Sequence, residues 1–236
     1  MTTAPTRRER LRTATVAEIK DGARRLLRTG GAPAISLRAI ARDMGMTAPA
    51  IYRYFPSLDA LTGALAGDLY DEVRAAVEAA RDTAGADPLA QLLDMARAFR
   101  RWAVANPDEF TLIMGSRGSG IDAFAAACTD AGHPGARLGA TFLRQFTVLW
   151  ERAPSDAPGG AALERSLAPL RHRHGAVPVE VAYLFLTAWT RLYGLIAMEV
   201  FQHLRWAVTD PEPLFEAELA SLARQFRSPA PPPKGP

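Results

Sequence analysis

Cysteine is almost absent from these 236 residues: Cys128 stands alone and cannot form an internal disulfide. A reducing compartment, the cytoplasm, is the expected setting, with Cys128 as buried filler. Long apolar runs are missing too. The opening MTTAPTRRERLRTA holds no apolar stretch of signal type, and Arg191 and Glu199 break the most apolar segment, VEVAYLFLTAWTRLYGLIAMEVF. Nothing reaches the ~20 uninterrupted apolar residues of a membrane span, so no membrane partner is expected. No segment repeats, and none alternates apolar and polar residues convincingly, as a half-buried strand would.

Catalytic signatures are equally wanting. The chain has no Gly-rich phosphate loop, HExxH or nucleophile elbow, and GSRGSG (115–120) follows no strand. His172 and His174, without a Cys or carboxylate cluster, read as surface residues rather than metal ligands. The expectation is a non-enzyme without metal or cofactor.

Acidic residues are scarce at one end only. Residues 1–56 hold eleven Arg and Lys against Glu9, Glu18, Asp21 and Asp43, a net +7, while the remainder carries −4. That asymmetry points to a basic module that meets a polyanion, joined to a mildly acidic body with another task. With 48% hydrophobic and 22% charged residues, the chain is an ordinary globular one, long enough for a sizeable core.

What is present is helical spacing, and the expected fold class is all-α. From Arg7 to Arg28, Leu11, Ala14, Val16, Ile19, Ala23, Leu26 and Leu27 recur mostly at three- and four-residue steps until Gly30, Gly31 and Pro33 close the segment. Ser36 can cap a second helix that ends at Gly45. Thr47 can cap a third, with Pro49 in its first turn and Pro56 stopping it after about two turns. Helix, short turn and short helix make a helix-turn-helix pattern.

Beyond it, Leu61, Leu65, Leu69 and Val73 mark a long amphipathic helix, and Pro88 to Ala105 forms the next. Asn106-Pro107 restarts the chain, Gly115–Gly120 is a loop, and helices follow at 121–131 and 136–152. APSDAPGG (153–160) is a flexible loop, and helices near 161–172, 179–206 and 211–227 precede a Pro-rich tail. The expected domains are an N-terminal arm (1–6), a helix-turn-helix domain (7–56), a ligand-binding and dimerisation domain (57–228) and a disordered tail (229–236).

The third helix, GMTAPAIYRYFPS, raises a sharper question, since two phenols and a guanidinium are poor core filling. Ile51 and Phe55, four apart, supply an inward face. Tyr52 and Arg53 are then left for the surface, while Tyr54 is equally readable as half-buried core or as a contact residue.

Over residues 10–75, ISLRAIARDMGMTAPAIYRYFPSLDALTGAL and its leading helix resemble the tetracycline-repressor (TetR) family of bacterial regulators. The resemblance implies a recognition helix in the major groove, with Thr47, Ala48, Pro49 and Ala50 at its nose near base edges. It implies phosphate contacts from Tyr52, Arg53, Tyr54, Arg38, Ser36 and Ser57, and a basic start, Arg7, Arg8 and Arg10, along the backbone or in a minor groove. Where family members often carry a phosphate-gripping Lys, this chain has Leu58, which shifts weight to Ser57, Arg38, Arg53 and the amides that open the fourth helix.

For the body, the resemblance implies a ligand cavity and a two-fold interface. The expected lining is Trp102, Phe110, Met114, Phe142, Phe146, Trp150, Trp189 and Tyr193, with Phe124 and Met198 in the same aromatic-rich stretch. The expected dimer pair is 179–206 and 211–227. AWTRLYGLIAMEVFQHL resembles a C-terminal subtype marked by Trp and then His-Gly; Trp189 and Gly194 match, but Tyr193 replaces the His. Gly194 inside a helix would make sense where another helix or a ligand comes close. The implied partners are double-stranded DNA with a palindromic operator, a second copy of the chain, and an apolar effector that releases a repressor. The alternative is a DNA-binding regulator or architectural protein without small-molecule control.

Overall fold

The computed structural model describes residues 6–115, 132–152, 154, 160–175 and 177–226. All but Thr6 of the expected arm (1–6), all but Gly115 of the 115–120 loop, the expected helix 121–131 with Phe124 and Cys128, most of the 153–160 loop and the tail (229–236) lie outside these residues. Every regular element among the described residues is helical. The chain divides into two compact units, one formed by residues 1–70 with 108–126 and the other by 71–107 with 127–236.

In the first unit, α1 (Arg7–Gly30) starts at a capping box: the Thr6 hydroxyl accepts the Glu9 amide at 3.2 Å, and the Glu9 carboxylate accepts the Thr6 amide at 2.6 Å. It stops at Gly31, whose φ of 71° few other residues tolerate. A short 3₁₀ turn at Ala32–Ala34 leads to Ser36, whose hydroxyl accepts the Ala39 amide and caps α2 (Leu37–Asp43). Gly22 lets α1 and α2 close up, since a Cβ there would lie 3.1 Å from the Ile40 side chain.

After Gly45, at φ 64°, comes α3 (Ala48–Tyr52). It is five residues long, under one and a half turns and shorter than its spacing predicts. Ile19, Ala23, Ile40 and Ile51 are fully buried and form the core of this unit. The next helix, α4 (Leu58–Thr83), is capped by Ser57, which accepts the Ala60 amide at 3.1 Å. Leu61, Leu65, Leu69 and Val73 are all buried as their spacing predicts, and the boundary between units falls inside this helix after Tyr70.

The first unit also recruits a later segment. Beyond α5 (Pro88–Ala105), the chain re-enters it through α6 (Pro107–Phe110) and a π-wound turn, Thr111–Gly115. Glu109, 1% exposed, receives hydrogen bonds from Arg24 Nε at 2.9 Å and Arg28 Nε at 2.5 Å, both on α1. Tyr70 Oη donates to the Ile113 carbonyl at 2.6 Å and holds the π turn against α4. Burial alone would push the Glu109 carboxyl up. Hydrogen bonds from Arg24, its own amide and Arg28 reverse this and hold it below the usual range.

The second unit is built around α9 (Val179–Val200), which packs on α5, α7 (Pro134–Arg152), α8 (Ala161–Arg173) and α10 (Glu212–Gln225). By length and apolarity alone α9 could cross a membrane; here it is the central helix of a bundle. It ends at Val200 rather than 206, because Gln202 takes φ 60° and the chain turns through Phe201–Ala207. Around Gly194 an added Cβ would meet nothing within 4 Å, so no neighbour among the described residues explains that glycine.

Ion pairs tie the bundle at its polar margins. Arg100 is bidentate to Glu199 at 2.8 and 2.7 Å, Arg97 is bidentate to Glu216 at 2.8 and 2.7 Å, and Arg191 pairs with Glu218. The first joins α5 to α9, and the other two hold α10 against α5 and α9.

The depressed Glu109 pKa fixes a sign: its contribution to stability is complete above the ordinary carboxylate pKa of 4.5 and fades as pH falls below it. Glu109→Ala is expected to lower the unfolding free energy by about 2–3 kcal/mol at neutral pH, less than for a fully buried pair because Arg28 remains half-exposed. It should also reduce the loss of stability on acidification. Urea unfolding at pH 7 and pH 4 measures both effects.

Candidate nucleic-acid interface and apolar cavity

The third helix, α3, is sharply two-sided. Ile51 is fully buried and Phe55 is 7% exposed, while Tyr52 is 44% exposed and Thr47, Ala48, Pro49 and Arg53 face water. Ala50 and Tyr54 are half-buried. Thr47 stands at the cap position, yet its hydroxyl makes no capping bond. The reason is local: Pro49 has no amide to offer, and the Ala50 amide is already taken by the Thr47 carbonyl at 2.9 Å. The Thr47 hydroxyl is therefore not committed to the helix cap.

Tyr54 has a contact that its sequence position does not advertise. The Arg12 guanidinium lies 5.3 Å from the centre of its ring, a cation–π geometry worth about 0.5–1 kcal/mol at exposed sites. Arg7, Arg8 and Arg12 of α1 line a shallow groove with Ala50, Arg53 and Tyr54. The structure thus joins Arg7 and Arg8 to the third helix. Arg10 is exposed but does not line this groove.

Arg12 was missed as a candidate, although it lies one turn beyond Arg8, and that spacing on a helix is the available signal. Arg38 is exposed on α2, whereas Ser36 and Ser57 use their hydroxyl oxygens as caps. Leu58, at the position where a Lys grip is missing, is 40% exposed.

The second unit encloses a cavity of about 40 Å³ among α5, α7, α9 and α10. Four of the expected residues line it: Phe142, Phe146, Trp189 and Tyr193. Trp102, Phe110, Met114 and Trp150 do not. Trp102 is buried and donates through Nε1 to Glu72 at 2.8 Å. Phe110 and Met114 belong to the first unit, where Phe110 is core. Trp150 closes the last turn of α7 outside the lining. In their place stand Phe99, Phe185 and Phe226 with aliphatic residues of α5 and α10. Sequence reasoning favoured large aromatics over the Leu and Ala of α5 and α10, whose four-residue spacing pointed inward as plainly.

Trp189 is the hub of the cavity wall. Its ring stacks on Phe99 at 5.6 Å and 18° and on Tyr193 at 6.1 Å and 10°, and meets Phe142 edge-on at 5.8 Å. Burial raises the Tyr193 hydroxyl pKa, so it stays neutral at physiological pH.

Comparison with known proteins adds to this geometry. A family model described as "Bacterial regulatory proteins, tetR family" matches residues 19–65, and one described as "Tetracyclin repressor-like, C-terminal domain" matches residues 92–222. The HTH-type transcriptional regulator Rv1816 of Mycobacterium tuberculosis is 33% identical over 220 residues, covering 87% of this chain and 89% of that protein. Among solved structures, SCO4313, described as a regulatory protein, superposes with a TM-score of 0.71 at 32% identity over 92% of this chain and 98% of its own. A protein of unknown function from Rhodococcus sp. RHA1 shares the fold, with a TM-score of 0.65 at 19% identity over 89% of this chain and 93% of its own.

Proposed function

Because this chain belongs to the TetR family of bacterial transcriptional regulators, non-enzymatic proteins that bind DNA, we propose that it is a repressor that binds a palindromic operator as a homodimer and leaves it when a small apolar effector enters the second unit. The observation that carries the DNA half is the two-sided α3: Ile51 and Phe55 are buried, while the small residues 47–49 and the Tyr52–Arg53 rim face outward. Small side chains at the helix nose allow close approach to base edges and thymine methyls. Tyr52, Arg53, Arg38 and the groove arginines supply phosphate contacts. Tyr54 is then both a packing residue and a rim residue, held by Arg12.

The effector half rests on the aromatic cavity. Covalent links are available for its signal, since the chain passes between the two units inside α4 and at Pro107–Asp108. Homodimerisation rests on α9. Thr190 and Met198 are exposed on it, and Gly194 lies between them on the same face with open space where a Cβ would be. An apolar helix with that much uncovered surface suits a two-fold copy of itself, and two-fold symmetry suits a palindrome.

Two measurements test these assignments. In operator titrations across a salt series, Tyr52→Ala and Arg53→Ala should each weaken binding, and Arg53→Ala should reduce the salt slope by about 1. Unaltered affinity and slope in both variants would refute the placement of α3 on DNA. Gly194→Arg should leave the protomer folded, because a Cβ there meets nothing within 4 Å among the described residues. It should shift sedimentation from dimer to monomer. A variant that sediments as wild type would remove the α9 face from the interface.

A further inference from the structure

The lining of the cavity bears on the kind of molecule that can occupy it. Among the described residues that line it there is no Asp, Glu, Lys, Arg or His, and the side-chain polar atoms are Trp189 Nε1 and Tyr193 Oη. Three arginines on the cavity helices are already engaged: Arg97 with Glu216 and Asp94, Arg100 with Glu199 and Glu212, Arg191 with Glu218. An ion entering the cavity would lose its water and gain no opposite charge.

Shape narrows the choice further. At about 40 Å³ the space is some three times what a single water needs and well short of the roughly 150 Å³ of a cavity that takes benzene, so any ring must part the helices, and a bulky three-dimensional molecule must part them furthest. A flat ring has an easier route. The Phe99 and Tyr193 rings each lie within 18° of parallel to the Trp189 ring, and the Phe142 ring crosses it at 64°. Parallel faces and a crossing edge are the two arrangements in which a further aromatic ring is favoured beyond its buried area.

We infer that the cavity binds a neutral, planar aromatic molecule of one or two rings, stacked in the Trp189 cluster, and rejects carboxylates and ammonium ions of the same size. This deepens the effector reading above and rests on it only for the consequence of binding, not for binding itself. The raised hydroxyl pKa of Tyr193 fits the same picture, since its one polar handle stays uncharged.

The test uses the full-length protein and four single-ring probes: toluene, benzoate, benzylammonium and methylcyclohexane. The chain has four tryptophans, so four indole N–H resonances are expected, and the one lost in Trp189→Phe is that of Trp189. Toluene should shift this resonance saturably and leave that of Trp206, 87% exposed, in place. Benzoate and benzylammonium should bind at least ~100-fold more weakly, and methylcyclohexane about three- to tenfold more weakly.

No saturable shift with toluene, or a charged probe or methylcyclohexane binding as tightly as toluene, overturns the inference. Operator affinity measured on the same samples separates the two claims. A Trp189 shift with unchanged DNA binding overturns the effector reading and leaves the ligand class standing.

Discussion

The burial of Ile51 is the constraint on which the exposed face of α3 depends. A helix of five residues has too few internal hydrogen bonds to hold its own conformation in water, let alone a fixed direction. Its orientation comes from packing: Ile51 is fully buried and Phe55 nearly so, in a unit whose core also holds Ile19, Ala23 and Ile40. Once those two side chains are inside, helical geometry leaves Thr47, Ala48, Pro49, Tyr52 and Arg53 no place but the surface. The polar ends that make GMTAPAIYRYFPS an odd core segment are what the surface uses. Arg12 extends the same logic, as the first turns of α1 run past the core with Leu11 58% exposed and carry a guanidinium onto the Tyr54 ring.

The second unit separates charge from apolar surface. Aromatic and aliphatic side chains of α5, α7, α9 and α10 close around a small cavity, and the arginines of α5 and α9 are pinned to glutamates of α9 and α10. Glu109 does for the first unit what these pairs do for the second. A buried carboxylate between Arg24 and Arg28 fastens α6 to α1, and α6 directly follows a cavity-lining helix in the chain.

Much of this was legible in the sequence. Punctuation by Ser36, Gly45, Thr47, Pro49 and Pro56 bounds the helix-turn-helix, and the Leu61, Leu65, Leu69, Val73 step gives the buried face of α4. The family follows from the same residues. Three kinds of feature were not legible. The Thr47 hydroxyl lacks its capping bond because one prolyl amide is absent and the next amide is taken, which helix statistics ignore. α9 stops at Val200 because of one left-handed residue, Gln202, a type with no strong preference for that conformation. Long-range partners such as Arg12 with Tyr54, or Arg24 and Arg28 with Glu109, are set by tertiary packing and leave no mark in local periodicity. The cavity lining was half-read for a related reason: aromatics signal burial, but not which helices enclose the space.

The central claim is that two copies of α3, fixed by Ile51, read two half-sites on one face of a duplex. Hydroxyl-radical footprinting of the wild-type protein on the DNA flanking its own gene, at physiological salt, tests it most directly. The account predicts two symmetric protected patches centred about one helical turn or a whole multiple apart, roughly 10–10.5 base pairs per turn, on a palindromic sequence. A single unsymmetrical patch, or protection that spreads evenly along the duplex, would contradict it.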